Sequence, residues 1–165
     1  MRIFLIGLPG SGKTTLGKKV ATYLQVPFFD LDEEIERLAN KLVKEIFASE
    51  GEAAFRKIES NTLQKLIDEH THFVLATGGG APCFYNGIDL MNQAGLTVFL
   101  DVPVYELEKR LQDEKQNRPL LAGAKSITET LNTLREARIS VYEKARICIQ
   151  DEHPDVMTII TRLVR

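Results

Sequence analysis

The chain has few of the residues that build metal or disulfide chemistry. Only Cys83 and Cys148 occur in 165 residues, with no C-x-x-C spacing. Neither a disulfide framework nor a zinc site is therefore expected, and two reduced structural thiols are. His70, His72 and His153 lack metal-site spacing as well. Neither sign of charge is in excess: 21 Lys and Arg stand against 23 Asp and Glu, a net charge of −2. This excludes a general attraction to nucleic acid or to membrane, so any basic character must be local. Long hydrophobic runs are also missing. None approaches the ~18 apolar residues of a membrane span, and the short apolar start leads into a glycine loop rather than a signal-peptide cleavage site. A cytoplasmic protein is expected. Without repeats, low-complexity tracts or a compositional break, residues 1–165 are expected to form one domain, acting as a monomer.

What is present begins at once. Ile3, Phe4, Leu5 and Ile6 suit a buried strand, and Gly7 to Thr14 then match G-x-x-x-x-G-K-[ST] before Thr15 and Leu16 open a helix. Strand, glycine loop and helix agree on a nucleoside triphosphate site. Gly10, Ser11 and Gly12 bring backbone N–H groups close to phosphate at a helix N-terminus, with Thr15 just inside that helix. Lys13 reaches the β and γ phosphates, and the Thr14 hydroxyl is a hard ligand for the Mg²⁺ that bridges them.

Further along, Leu16, Val20, Ala21 and Leu24 share one helix face up to Gln25. Phe28 and Phe29 start a second strand ending in Asp30-Leu31-Asp32. With extended backbone, Asp30 and Asp32 point to one side and can face one site together; the plainer reading makes Asp32 a helix cap. Glu33 to Glu50 reads as one helix, and Gly51 separates it from a second, Glu52 to Glu69. On that second helix Arg56 and Glu59, three apart, form either a surface ion pair or a guanidinium oriented toward a ligand.

Phe73 to Ala76 reads as a third strand and runs into Thr77-Gly78-Gly79-Gly80-Ala81-Pro82. Three glycines in a row cost chain entropy that a plain turn does not require, so close approach of backbone to a ligand is the better reading. Three strand ends thus converge where open α/β sheets bind ligands. Leu96 to Asp101 supplies a fourth strand and Tyr105 to Gln112 a helix. Arg118-Pro119-Leu120-Leu121 then looks like a lid whose arginine closes over the triphosphate. Ser126 to Ala145 is a long helix on which either Arg135 or Arg138 can enter the site, Ile147 to Ile149 is a fifth strand, and Val156 to Val164 is the last helix. The alternation of strands and helices signals an α/β fold with a parallel sheet.

These motifs together resemble the shikimate kinases, a P-loop family of the nucleoside monophosphate kinase-like group. GLPGSGKTT, DLD at Asp30 to Asp32, GEAAFRKIE at Gly51 to Glu59, TGGGA at Thr77 to Ala81, NRPLL at Asn117 to Leu121 and REARISVYEKA at Arg135 to Ala145 carry the likeness nearly end to end. The resemblance implies a three-layer αβα P-loop fold with a five-stranded parallel sheet, substrate-binding helices at about 31–60 and a lid at about 112–124. It also implies transfer of the γ-phosphoryl of ATP to the 3-hydroxyl of shikimate, with one Mg²⁺, in aromatic amino-acid biosynthesis. By position, Lys13, Thr14 and Asp30 serve phosphate and metal, and Asp32 meets the substrate hydroxyls. Arg56 and Arg138 clamp the substrate carboxylate beside Gly78, Gly79 and Gly80, Arg118 acts from the lid, and Arg110 packs against adenine. Arg138 is preferred to Arg135 because the family spacing R-x-x-x-Y leads to Tyr142. Adenine contacts are also expected near Pro154. Two other readings stand beside this one: a gluconate kinase-like enzyme of the same fold, and a nucleotide-dependent switch module without an acceptor.

Overall fold

The computed structural model describes residues 1–112 and 126–163. The apolar runs become five parallel strands: β1 (Arg2–Ile6), β2 (Phe28–Asp30), β3 (Phe73–Ala76), β4 (Leu96–Leu100) and β5 (Ile147–Ile149), ordered β2-β3-β1-β4-β5. Helices α1 (Lys13–Leu24), α2 (Leu31–Ala39), α3 (Val43–Glu69), α4 (Gly87–Ala94), α5 (Val104–Leu111), α6 (Ile127–Tyr142) and α7 (Val156–Leu163) connect and cover them.

Side-chain alternation along each strand explains the three layers. In β1, Ile3 and Leu5 face one apolar core with Val74, Val98 and Leu100, closed by Leu16 and Val20 of α1 and Ile159 of α7. Phe4 and Ile6 face the other with Phe73, Leu75 and Phe99, closed by Ile35 of α2, Leu63 of α3, Leu107 of α5 and Tyr142 of α6. A strand buried on both faces favours apolar residues, which is why β1 from Ile3 onward and β3 read as continuous hydrophobic runs, and why β4 does so apart from Thr97, whose buried hydroxyl donates to Asn92 and accepts the Arg146 N–H. β1 lies between β3 and β4: the chain runs from β1 to β2 and β3 on one side of it and then crosses to β4 and β5 on the other. The crevice at such a switch point, beyond the carboxyl ends of the strands, is where this architecture binds ligands. Among the described residues no helix is long and apolar enough to cross a membrane.

Three expectations need correction. The expected helix from Glu33 to Glu50 is two helices. Asn40 takes left-handed backbone (φ 51) to end α2, a role its short polar side chain tolerates. The chain then restarts at Val43, where the Leu42 N–H donates to Glu45 Oε2 at 2.8 Å. Second, Asp32 does not lie in extended chain: β2 stops at Asp30 and Asp32 belongs to the first turn of α2. Third, α4 was not anticipated, because Asn86, also left-handed, hides its start. Gly51 does break the helical geometry as expected, with φ 83 and ψ 172 inside α3.

Candidate active site

One wall of the site is made mostly of backbone. After β1, residues 7–12 turn back so that Gly12, at φ 88, becomes the N-cap of α1 without any side-chain cap. Gly10 also sits at positive φ, and a Cβ there would lie 2.9 Å from Leu111. Both positions require glycine, by backbone conformation and, at Gly10, by space as well. Lys13 folds its ammonium onto this loop, donating to Gly7 O and Leu8 O at 2.9 Å and to Ser11 Oγ at 3.2 Å.

The Thr14 hydroxyl donates to Asp30 Oδ2 at 2.6 Å. Asp30 Oδ1 accepts the Asp32 N–H at 3.0 Å, so Asp30, rather than Asp32, caps α2. The first turn of that helix therefore carries Asp32 to the same cavity by a route different from the extended one expected. Gly10 to Leu16, Asp30, Asp32, Thr77, Gly78, Gly79, Arg110 and residues 153–157 line this cavity of about 730 Å³, a size suited to a small ligand.

The other side of the site, behind the glycine turn that follows β3, is made of buried charge. Arg56 and Glu59 on α3 and Arg138 on α6 are 4%, 2% and 6% exposed, an arrangement that is costly unless the ions find partners. Arg56 Nη1 donates to Glu59 Oε2 at 2.9 Å, and its Nε and Nη2 reach Glu52 Oε1 at 3.3 and 3.1 Å. Burial, only partly offset by Arg56, pushes the Glu59 carboxyl up to about 7. Glu59 Oε1 and Arg138 Nη1 are buried without a hydrogen-bond partner among the described residues.

The glycine turn separates the two walls, and its need for glycine is a matter of space. A Cβ on Gly78 would lie 2.6 Å from Glu59 Oε1, one on Gly79 2.9 Å from Arg138 Nη1, and one on Gly80 2.3 to 2.6 Å from the Arg56 guanidinium. What approaches the backbone so closely is the protein's own charged side chains. Thr77 anchors the turn to β1 through Leu5 O, with N–H at 3.1 Å and hydroxyl at 3.0 Å. The Tyr142 hydroxyl donates to Gly79 O at 2.5 Å. Burial raises that phenol to about 12, still further from ionisation than an ordinary tyrosine, which is itself protonated at neutral pH.

Of the anticipated residues, the structure brings Gly10 to Thr15, Asp30, Asp32, Gly78, Gly79 and Arg110 to one cavity. Arg56, Gly80 and Arg138 stand just behind the glycine turn rather than on the cavity wall. Arg135 is elsewhere: a third exposed, it is held by Asp101 at 2.5 Å. Arg110 is tied to the loop and to the segment after β5, donating to Gly10 O at 3.3 Å and His153 Nδ1 at 3.1 Å, and to Glu152 O. Arg118 and lid residues 113–124 lie outside the described residues. Tyr142, Glu52 and Phe84 were not anticipated as parts of the site. Glu52 was legible from its i,i+4 spacing to Arg56, whereas the partners of Tyr142 and Phe84 depend on tertiary packing alone.

Known proteins share this sequence pattern and this fold. The sequence model described as shikimate kinase matches residues 9–165. The chain belongs to the shikimate kinase family. A shikimate kinase from Bacteroides fragilis is 46% identical over 147 residues, covering 88% of this chain and 82% of that protein. The crystal structure of shikimate kinase from Bacteroides thetaiotaomicron superposes with a TM-score of 0.88 at 40% identity, over 99% of this chain and 96% of that one. Shikimate kinase from Acinetobacter baumannii, solved in complex with shikimate, has a TM-score of 0.88 at 32% identity, over 99% and 90% of the two chains. Membership of this family makes the chain a kinase, with the P-loop α/β fold that its motifs implied.

Proposed function

We propose that this chain transfers the γ-phosphoryl of ATP to the 3-hydroxyl of shikimate, giving shikimate 3-phosphate and ADP, and so serves aromatic amino-acid biosynthesis. The observation that carries the acceptor is Arg138: a guanidinium nine-tenths buried, with an unpartnered Nη1 beside Gly79. Such a donor calls for an anionic acceptor, and a carboxylate matches its planar fork. Arg56 is the second arm, with the backbone of Gly78, Gly79 and Gly80 between. Residues 1–165 act as one domain in this reading, with the substrate region at about 31–60, and as a monomer in the cytoplasm.

On the donor side, Gly10, Ser11, Gly12, Lys13, Thr14 and Thr15 cradle the phosphates at the start of α1. The Lys13 ammonium leaves the neutral carbonyls it now holds for phosphate oxygens, a stronger charge-assisted pairing. Arg110 and residues 153–157 form the wall next to the adenine, and Arg118 closes the site over the transferring group. The donor set fits Mg²⁺: the Thr14 hydroxyl and Asp30 carboxylate meet at 2.6 Å, and this ion prefers few protein oxygens, completing its shell with phosphate and water. Bound there, it would neutralise charge on the β and γ phosphates.

Asp32 orients the shikimate hydroxyl. As the bond from that oxygen to the γ-phosphorus forms and the bond to the β-phosphate oxygen breaks, Asp32 takes the hydroxyl proton late, because a loose transition state asks little of a base. ADP release with shikimate, with gluconate and with no acceptor tests the assignment. Turnover is expected with shikimate alone. Equal rates in all three would favour the switch reading, and preference for gluconate the rival kinase.

A further inference from the structure

The Arg56 guanidinium is held by carboxylates at its N–H donors and also lies over two aromatic rings. Its carboxylate partners are Glu59, 2% exposed, and Glu52, 52% exposed, at 2.9 and 3.1 Å. Its central carbon also lies 4.6 Å from the centroid of the Phe84 ring and 5.2 Å from that of Phe55. Phe84 comes from the segment that follows the glycine turn, four residues beyond Gly80, whose missing side chain makes room for this same guanidinium. At 39% exposed, it is among the large apolar side chains left partly open to solvent. Phe55 belongs to the buried core, so its position is explained without Arg56. Phe84 is an aromatic ring whose contact with Arg56 is not a by-product of deep burial.

Three of the five guanidinium N–H donors are engaged, Nε and one on each Nη, so an incoming carboxylate meets this fork either at the two donors that remain or by displacing a carboxylate. Glu52 is the exposed partner and the one that can yield to it, while Glu59 is locked in the interior. Where the Glu52 edge changes hands, the contacts that still fix the guanidinium plane are Glu59 at one end and the aromatic faces. A cation over a ring keeps its attraction whichever anion occupies its edge. We propose that Phe84 is a positioning residue for the acceptor, holding the plane of Arg56 so that the substrate carboxylate meets an oriented fork. This rests on the reading that Arg56 binds that carboxylate.

The test compares Phe84→Leu, which keeps apolar bulk and loses the ring, with Phe84→Tyr, which keeps the ring. Phe84→Leu is expected to raise KM for shikimate about fivefold, equivalent to ~1 kcal/mol, with KM for ATP and kcat within about twofold. Phe84→Tyr is expected to match the unaltered chain. Arg56→Lys, measured alongside, separates the two ideas: it retains charge but loses the planar fork, and should raise KM for shikimate selectively. A selective Arg56→Lys effect with an unchanged Phe84→Leu overturns the role of Phe84 alone, as does Phe84→Tyr impaired as much as Phe84→Leu. An Arg56→Lys variant with unchanged KM for shikimate overturns the clamp and the role of Phe84 together.

Discussion

The phosphate loop and the acceptor wall stand on either side of three glycines, yet they solve opposite problems. In the proposed reading the loop holds its ligand with backbone N–H groups, a helix end and one lysine, and its glycines serve conformation, as Gly12 at φ 88 shows. The acceptor wall uses whole charges buried in the interior, and its glycines serve space: Gly78, Gly79 and Gly80 let Glu59, Arg138 and Arg56 come within 3 Å of where a Cβ would stand. A backbone nest accepts any well-placed triphosphate. As the proposed carboxylate clamp, a buried pair of guanidinium forks discriminates, because an acceptor without a carboxylate would leave desolvated donors unpaired. Specificity in this chain is thus assigned to the acceptor wall and affinity for the nucleotide to the loop.

Substitutions that affect one wall and spare the other test this division. The largest effect is expected where the walls meet. Asp32→Asn should lower kcat by ~10³-fold while KM for ATP stays within about twofold, and near-normal turnover would remove Asp32 from the chemistry. Lys13→Ala should lower kcat by ~10²-fold and leave shikimate binding, read by calorimetry, unchanged; a loss of shikimate affinity would show that the walls are not independent. Arg138→Ala should raise KM for shikimate by ~30-fold, as expected for a lost charged hydrogen bond, with KM for ATP unaltered. Equal effects on both substrates would argue against a carboxylate contact.

The smallest effect concerns stability. Glu59 has its carboxyl raised from 4.5 to about 7, chiefly by burial, so between those values the folded chain binds more protons than the unfolded one. Its contribution is fully present below about pH 4.5 and is lost as pH rises toward 7. Glu59→Gln removes this titration. Melting curves from pH 4.5 to 7.5 should show the unaltered chain losing on the order of 1 kcal/mol relative to the variant. Parallel pH profiles would mean that Arg56 keeps Glu59 ionised throughout.

The same contrast explains what could be read from the amino acids alone. The loop is contiguous, so Gly7 to Thr15 announced strand, nest and helix in a single motif, and the five strands followed from apolar runs. The acceptor wall is scattered over Arg56, Gly78 to Gly80 and Arg138, and periodicity could not choose between Arg135 and Arg138; family spacing made the choice. Asp32 was expected at the cavity, but in extended chain; Asp30 both ends β2 and caps α2, so Asp32 falls in the first helical turn, and the D-x-D pattern alone does not disclose where strand gives way to helix. Asn40 and Asn86 concealed helix boundaries, since left-handed asparagine is decided by context more than by composition. The Tyr142 bond to Gly79 and the Phe84 contact with Arg56 join residues 63 and 28 positions apart, beyond the reach of any local pattern.

A crystal structure with ADP and shikimate bound tests the division most directly. The account predicts the diphosphate on the amides of Gly10 to Thr15, the shikimate carboxylate between Arg56 and Arg138 against the glycine turn, and the ring hydroxyls turned to Asp32. A carboxylate bound away from both arginines, with Arg138 Nη1 still unpartnered, would contradict it.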